Sequence, residues 1–218
     1  EGRLEVGGNY TETGSSALTM QSEKGYMLVK GNYTANSHNY GNKGDIKAGV
    51  TEIKGDFKQI KVSGYYEDNF VGSGTHKVIL SGNKAQTIGF MNPEKSYFNI
   101  LEIKNTSEEG IVSESCVNVR KIITNGKKVD TLVVGIAPRT MTEDFTYDGN
   151  LSIVGGAVKT NGYKLSIGGN LNVYDGTLEI GNGNVVVGGN LDHTGGIIAV
   201  GEGRLEVGGN YTETGSSA

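Results

Sequence analysis

The chain contains 218 residues, of which 36 are glycine and none is tryptophan. This glycine content is more than twice the usual share of about 7%. It excludes a helical bundle, because an interior glycine costs a helix about 1 kcal/mol relative to alanine, and the lack of a strict Gly-X-Y period excludes collagen. The formal net charge of −4 excludes a strongly basic nucleic-acid-binding surface, and no apolar run reaches the roughly 18 residues that a membrane span needs.

The first 17 residues form a literal long repeat. Residues 1–17, EGRLEVGGNYTETGSSA, recur without a change at residues 202–218, a displacement of 201 residues. Diverged structural repeats keep a pattern and not identity, so this identity indicates a recent tandem duplication or a chosen boundary. We therefore expect one full unit of 201 residues, a single solenoid over residues 1–218, with residues 202–218 as the start of the next unit. Because the chain begins with Glu inside a strand-like segment, we also expect it to be a piece of a longer protein.

A shorter repeat places Asn or Asp after Gly along the chain. In chain order the intervals from Asn9 to Asn32, Asp56 and Asn83 are 23, 24 and 27 residues, with weaker echoes at Asn105 and Asn125. Three intervals of 20 residues then separate Asn150, Asn170, Asn190 and Asn210. Nine intervals fill the 201-residue unit, a mean of about 22. Such a period is the signature of a repeat architecture.

Within each interval, short bursts of alternating apolar residues are separated by Asp-Gly, Asn-Gly or Gly-Gly, as over residues 171–187. Each burst predicts a short strand. We therefore predict an all-β fold, a right-handed parallel β-solenoid (β-helix) of about nine 20–27-residue coils with loop insertions. A sandwich of hairpins would also show turn signals, but it does not predict a Gly-Asn signature at a fixed spacing.

The recurring Gly and Asn are expected at the corners of the coils, where bends need the positive φ that both residues adopt at little cost. Stacked Asn side chains can also form an amide ladder along the solenoid axis. We predict a corner ladder of Asn9, Asn32, Asn83, Asn150, Asn170, Asn190 and Asn210.

Two segments without alternation interrupt the pattern. Residues 63–75, SGYYEDNFVGSGT, and residues 134–149, VGIAPRTMTEDFTYDG, are predicted loop insertions. Loops carry function more often than the solenoid core does. The aromatic residues Tyr65, Tyr66 and Phe70 can contact a glycan or a host surface protein, or they can cover the side of the solenoid; both interpretations stay open.

Residues 76–122 carry a family resemblance. The segments HKVILSGNKAQTIGF and SYFNILEIKNTSEEGIVSESCVNVRKI resemble the repetitive surface proteins of clostridia and related Gram-positive bacteria. The Gly-Gly-Asn coils of residues 149–218 are more loosely similar to filamentous adhesin and autotransporter solenoids. The resemblance implies a secreted or wall-associated protein with a structural or adhesive role, and it carries over no catalytic residue.

Candidate chemistry is sparse. The acidic residues of the irregular segments could serve an enzyme that processes polysaccharides only if the fold brings them together: Glu67, Asp68, Glu108, Glu109, Glu143, Asp144 and Asp148. GGNLD at 188–192 and GNKGD at 41–45 are only fragments of a calcium-binding repeat, so no cofactor is expected and a structural calcium ion has weak support. His38, His76 and His193 lack partners at metal-ligand spacing, and His193 shares the inward parity of Leu191.

These features predict a structural module of a secreted or cell-surface fibre or stalk, not an enzyme. Copies of the unit would stack head to tail through β-strand addition. The alternative is an adhesin module that binds a glycan or host protein through its loops, and the third hypothesis is a polysaccharide-processing β-helix enzyme. Neither nucleic-acid binding nor membrane insertion is expected.

Overall fold

The fold is the predicted right-handed parallel β-solenoid, with about nine turns. The computed structural model describes residues 2–37, 45–60, 68–127 and 132–215, and these contain 24 strands and no helix. The chain divides into two compact units, Glu1–Leu132 and Val133–Ala218. Every paired strand in either unit runs parallel to its partner, as a coiled chain requires.

The first unit has two long sheets and a short third side. One sheet contains β1 (Arg3–Val6), β3 (Tyr26–Val29), β5 (Val50–Ile53), β7 (Lys77–Leu80), β9 (Phe98–Ile103) and β11 (Val117–Ile123). The other contains β2 (Tyr10–Gly14), β4 (Tyr33–Ser37), β6 (Phe57–Gln59), β8 (Gln86–Phe90) and β10 (Ile111–Ser113). Isolated bridges form the third side, from Met20 to Ile46, from Ile46 to Gly72 and from Val71 to Tyr97.

The second unit has three sheets of short strands. The first contains β12 (Val133–Gly135), β15 (Asn150–Ile153), β18 (Leu171–Val173), β21 (Leu191–His193) and β24 (Tyr211–Glu213). The second contains β13 (Arg139–Thr140), β16 (Ala157–Lys159), β19 (Thr177–Glu179) and β22 (Ile197–Ala199). The third contains β14 (Phe145–Tyr147), β17 (Lys164–Ile167), β20 (Asn184–Val187) and β23 (Arg204–Val207).

Residues 134–149 form a regular coil of this second unit, which corrects the predicted loop insertion. The strands β12, β13 and β14 lie in this segment and continue all three sheets. Alternation is obscured because Arg139 occupies the position opposite buried Val158, with its guanidinium over the Phe145 ring. The segment also advances only from Val134 to Leu151 before the first sheet resumes, so it departs from the 20-residue spacing.

The alternating pattern produces columns of identical or similar side chains inside each unit. In the second unit Leu151, Leu171 and Leu191 lie opposite one another and are fully buried. The first unit has an aromatic core, in which neighbouring rings have centroids 4.7 to 5.7 Å apart: Tyr33, Phe57, Phe70, Phe90 and Phe98. Each fully buried large side chain contributes about 1.5–3 kcal/mol to folding.

Candidate functional site

The Gly-Asn corners repeat one pattern of three hydrogen bonds. At five contacts between neighbouring coils, two in the first unit and three in the second, the Asn Oδ1 of one coil accepts the backbone N–H of the Asn or Asp one coil later, at 2.8 to 2.9 Å. The Gly before that later residue donates its N–H to the corresponding Gly carbonyl, at 2.9 to 3.1 Å. The residue after the earlier Asn donates its N–H to the carbonyl of the later Asn or Asp, at 2.8 to 2.9 Å. The five contacts are Asn9 with Asn32, Asn32 with Asp56, Asn150 with Asn170, Asn170 with Asn190, and Asn190 with Asn210.

This ladder differs in chemistry from the one we expected. The Asn oxygen accepts a backbone N–H and does not bind the amide group of the next Asn. Stacked side-chain amides would leave the corner N–H groups without acceptors, whereas this arrangement satisfies one of them in each coil. Aspartate supports the same bond, because Asp56 Oδ1 accepts the N–H of Thr87 at 2.7 Å.

Asn83 lies outside the ladder, which is a second correction. The N–H that Asp56 Oδ1 accepts belongs to Thr87, and Asn83 itself is exposed. The interval before Asn83 is the longest, and the extra residues form a turn that Gln86 ties to its own coil by accepting the N–H of Gly82 at 2.7 Å. Gln86 is buried and also donates to the Ile53 carbonyl at 3.1 Å. Its place after an Ala in GNKAQ gave no signal of this role.

We expected the corner glycines to be required by positive φ. They are required instead because the preceding coil approaches them closely. Their φ values lie outside the left-handed region, which, among the described residues, eleven other glycines, Asn125 and Asn161 adopt. A Cβ on Gly31 would instead overlap Asn9 Oδ1 and lie 2.7 Å from the carbonyl carbon of Gly8. The same overlap, with the Asn oxygen and the glycine backbone of the preceding coil, would occur at Gly55, Gly169, Gly189 and Gly209.

All ladder bonds of Gly N–H and Asn N–H groups point toward the N-terminal side of the coil that donates them. These corner hydrogen bonds therefore have a single direction along the solenoid axis. We call residues 2–14 the first coil and residues 203–215 the last coil; they have identical sequences. In the described part of the chain, the first coil has no coil on its N-terminal face, and the last coil has none on its C-terminal face. These two surfaces are the end faces.

Apolar and polar groups are exposed at both end faces. Leu4 in the first coil is 49% exposed and Tyr211 in the last coil is 50% exposed. Next to the C-terminal end face, His193 Nδ1 lies 3.2 Å from the Tyr211 hydroxyl. This hydroxyl donates to Glu213 at 3.1 Å. His193 Nε2 lies 3.1 Å from the Gly196 carbonyl. Both ring nitrogens of this inward-facing histidine therefore have a hydrogen-bond partner. Burial, followed by the hydrogen bond to Glu213, raises the pKa of Tyr211.

The predicted partner-contact residues do not form a surface in the described part of the chain. Phe70 is fully buried, with its ring centroid 5.1 Å from that of Phe57 and 5.6 Å from that of Phe98. This corrects its assignment to a contact loop, because Val71 beside it belongs to the third side of the coil. Tyr65 and Tyr66 lie outside the described residues, as does His38.

Those candidate acids that the structure describes do not converge on a metal site. Within the described ranges, no group of three or more His, Cys, Asp and Glu side chains could hold a metal ion. Asp144 has a structural contact, since its Oδ1 accepts the backbone N–H of Lys164 one coil later at 2.9 Å. Glu67 lies outside the described residues. Burial raises the pKa of the Cys116 thiol to about 12, which suppresses its thiolate form.

His76 combines complete burial with a perturbed pKa. It is fully buried in the first unit, and its Nε2 lies 3.1 Å from Thr51 Oγ1. Its Nδ1 has no hydrogen-bond partner among the described residues. Burial lowers the pKa of His76 to about 4, so the imidazole is neutral at physiological pH.

No protein-family model, curated protein or solved structure matches this chain. The described residues also contain no helix long and apolar enough to cross a membrane. The class is therefore defined by the fold itself: a tandem-repeat parallel β-solenoid. Its distinctive surfaces are the two polar end faces, which have identical sequences and different neighbours.

Proposed function

We propose that this chain is a structural repeat module of a secreted or cell-surface fibre or stalk, in which copies continue end to end through β-strand addition. Unpaired strand edges are the surfaces by which sheets gain further strands. A module of this kind needs no catalytic centre. Its stability is the sum of contributions from each coil and from each contact between neighbouring coils.

The observation that carries the proposal is that the end coils keep the interior pattern. Leu4 and Val6 in β1 lie opposite the buried Met27 and Val29. At the other end, Leu205 and Val207 in β23 lie opposite the buried Val185 and Val187. A coil that ended a solenoid in solvent would be expected to carry polar residues at such positions.

The second part of the support is the sequence identity of the two coils. A last coil with the sequence of the first can support the coil of Tyr26–Val29 and Tyr33–Ser37, because β1 and β2 already do so. A further copy could therefore follow without a change of corner, core column or strand register. The unit would then advance about 43 Å for nine coils at roughly 4.8 Å each.

The test compares polypeptides with one, two and three tandem copies of the 201-residue period. Electron microscopy and small-angle scattering should show rods that lengthen by the same increment, about 43 Å, with each added copy. As a matched control, a flexible Gly/Ser segment replaces each internal copy of residues 202–215 and should give beads with variable angles. Tandem copies that behave like the control, or that stay at a constant length, would refute the proposal.

The adhesin hypothesis depends on Tyr65 and Tyr66, outside the described residues, and stays a prediction. Glycan-array binding that Tyr65→Ala and Tyr66→Ala abolish would support it. The buried position of Phe70 removes one of its three aromatic candidates.

A further inference from the structure

Three glycines of the first coil face open space, although their counterparts in the last coil are tightly packed. A Cβ on Gly2, Gly7 or Gly8 would meet nothing within 4 Å. A Cβ on Gly203, Gly208 or Gly209 would overlap the coil before it, with Gly188 O only 2.6 Å from the Gly208 position and Gly189 O 2.8 Å from the Gly209 position. The N-terminal end face thus has the shape of a surface that elsewhere in this chain lies on another coil.

The hydrogen-bonding groups of the two end faces are complementary. Interior corners join Gly N–H to Gly carbonyl and Asn N–H to Asn Oδ1. Among the described residues, the N–H groups of Gly8 and Asn9 have no acceptor, and Asn210 Oδ1 has no donor. For these two hydrogen bonds the first coil presents the donors and the last coil presents the acceptors. For the third bond of the corner pattern, the last coil presents the donor, the Tyr211 N–H, and the first coil presents the acceptor, the Asn9 carbonyl.

We propose that the end faces bind each other between separate chains, so that the first coil of one chain stacks head to tail on the last coil of another. This inference rests on the proposed function and specifies its contact. The Asn9 N–H donates to Asn210 Oδ1, the Gly8 N–H donates to the Gly209 carbonyl, and the Tyr211 N–H donates to the Asn9 carbonyl. Strand β1 then pairs with β23 and β2 with β24, each residue opposite its identical counterpart.

The apolar core continues in this register, and the register also brings like charges opposite each other. Leu4, now 49% exposed, would lie over Leu205 and continue the apolar column. Each outward Arg already has an acidic partner on its own strand, with Arg3 3.6 Å from Glu5 and Arg204 3.1 Å from Glu206. On β1 and β23 each charge thus has a partner on its own strand, although Arg3 lies opposite Arg204 and Glu5 opposite Glu206. On β2 and β24, Glu12 lies opposite Glu213, and each accepts a hydrogen bond from a tyrosine hydroxyl. These like-charge pairs are a cost that the corner hydrogen bonds and the apolar column must offset.

The polarity of the ladder selects this arrangement over the alternatives. Two of the three corner bonds run from the later coil to the earlier one. Two N-terminal end faces would therefore bring the Gly8 and Asn9 N–H donors of both chains together, and two C-terminal end faces would bring together the Gly209 carbonyl and Asn210 Oδ1 acceptors, which leaves these groups unsatisfied. Exchange, in which the last coil of one chain replaces the first coil of another, would leave the Gly8 surface outside the contact. The geometry thus predicts a contact that depends on Gly8.

The test uses disulfide trapping of full-length chains that carry Cys116→Ser. Thr11 and Thr212 are exposed and lie opposite each other in the proposed register, at the roughly 4.8 Å spacing of paired strands, within the range of about 4.4–6.8 Å that a disulfide spans. A mixture of Thr11→Cys chains with Thr212→Cys chains should give cross-linked dimers under mild oxidation. Either variant alone should give none. Dimers formed by one variant alone would contradict the head-to-tail arrangement.

Corner variants test the register. Gly8→Ala in the Thr11→Cys chain should lower the cross-link yield about tenfold, because its methyl group overlaps the partner's corner. Asn210→Ala in the Thr212→Cys chain should lower it several-fold, and Asn210→Asp, which keeps an oxygen acceptor, should restore it. Full cross-linking with Gly8→Ala would overturn the proposed contact. If tandem copies form rods but mixed chains never cross-link, this inference fails and the proposed function stands.

Discussion

The two copies of one sequence, the first coil and the last coil, differ in almost every neighbour. Glu12 is 1% exposed and accepts a hydrogen bond from the buried Tyr33 hydroxyl, whereas its counterpart Glu213 is exposed. Tyr10 packs 5.0 Å from the Tyr33 ring, whereas Tyr211 is half exposed. The same residues are thus core in one copy and surface in the other, because only the first copy has a coil on its C-terminal face.

The opposite face reverses the comparison. Gly209 lies on Asn190 and the Gly189 backbone, whereas Gly8 faces open space. Each copy therefore reveals the requirements of one face of the same coil. Together they describe a coil covered on both sides, which is the environment that every interior coil has and that a fibre would give to both ends.

The largest expected effect concerns His76, a side chain that the neighbouring coils cover completely. His76 is fully buried with a pKa of about 4, against about 6.5 in an unfolded chain. The unfolded state therefore binds more protons, and the stability that neutral His76 provides is present above pH 6.5 and lost as the pH falls toward 4. Chemical denaturation should show a loss of about 3 kcal/mol across this window.

The variant His76→Gln separates this effect from general acid sensitivity, because it should flatten the pH dependence across this window. Glu52 and Glu102, whose net pKa shifts are downward despite burial because of hydrogen bonds from Ser81 and Lys77, lose their contribution mainly below about pH 4.5. Equal slopes in the native chain and in His76→Gln would contradict the assignment.

The next effect contrasts the paired glycines. Gly209→Ala should destabilise the last coil by about 1–3 kcal/mol, because its Cβ overlaps backbone that cannot move aside. Gly8→Ala should change the stability of the monomeric chain by less than about 0.5 kcal/mol. Amide hydrogen exchange within residues 203–215, together with denaturant unfolding, measures both. A similar cost at the two sites would break the comparison.

The paired glutamates come third. Glu12→Ala leaves the hydroxyl of fully buried Tyr33 without this acceptor, so it should cost about 2 kcal/mol. Burial, followed by the charge of Glu12, holds the pKa of Tyr33 well above its ordinary value, which keeps the hydroxyl a donor at any moderate pH. Glu213→Ala should be nearly neutral in equilibrium unfolding. A loss at Glu213 equal to that at Glu12 would show that the last coil is covered in solution.

The fold was predictable from sequence because period and alternation repeat in almost every coil. The coil at residues 134–149 was not predicted because Arg139, a charged residue, occupies an inward position where alternation requires an apolar one. The strand β13 is evident only from its pairing with β16. The burial of Phe70 was not predicted because the third side of each coil is a single bridge, which is too short to show alternation. The role of the corner glycines could not be read because sequence gives the residue but not which coil lies beneath it.

The smallest effect is expected at the paired asparagines Asn9 and Asn210. Here the first coil, and not the last, should be sensitive to substitution. Asn9→Ala removes the acceptor of the Asn32 N–H at an exposed corner, where water replaces part of the bond, so it should cost about 0.5–1 kcal/mol. Asn210→Ala should cost nothing measurable, because no described donor reaches its Oδ1. Gly8 and Asn210 would then be neutral while Gly209 and Asn9 are not, in one unfolding series. That crossed pattern follows only if the corner bonds have a direction, and equal costs at Asn9 and Asn210 would show that they do not.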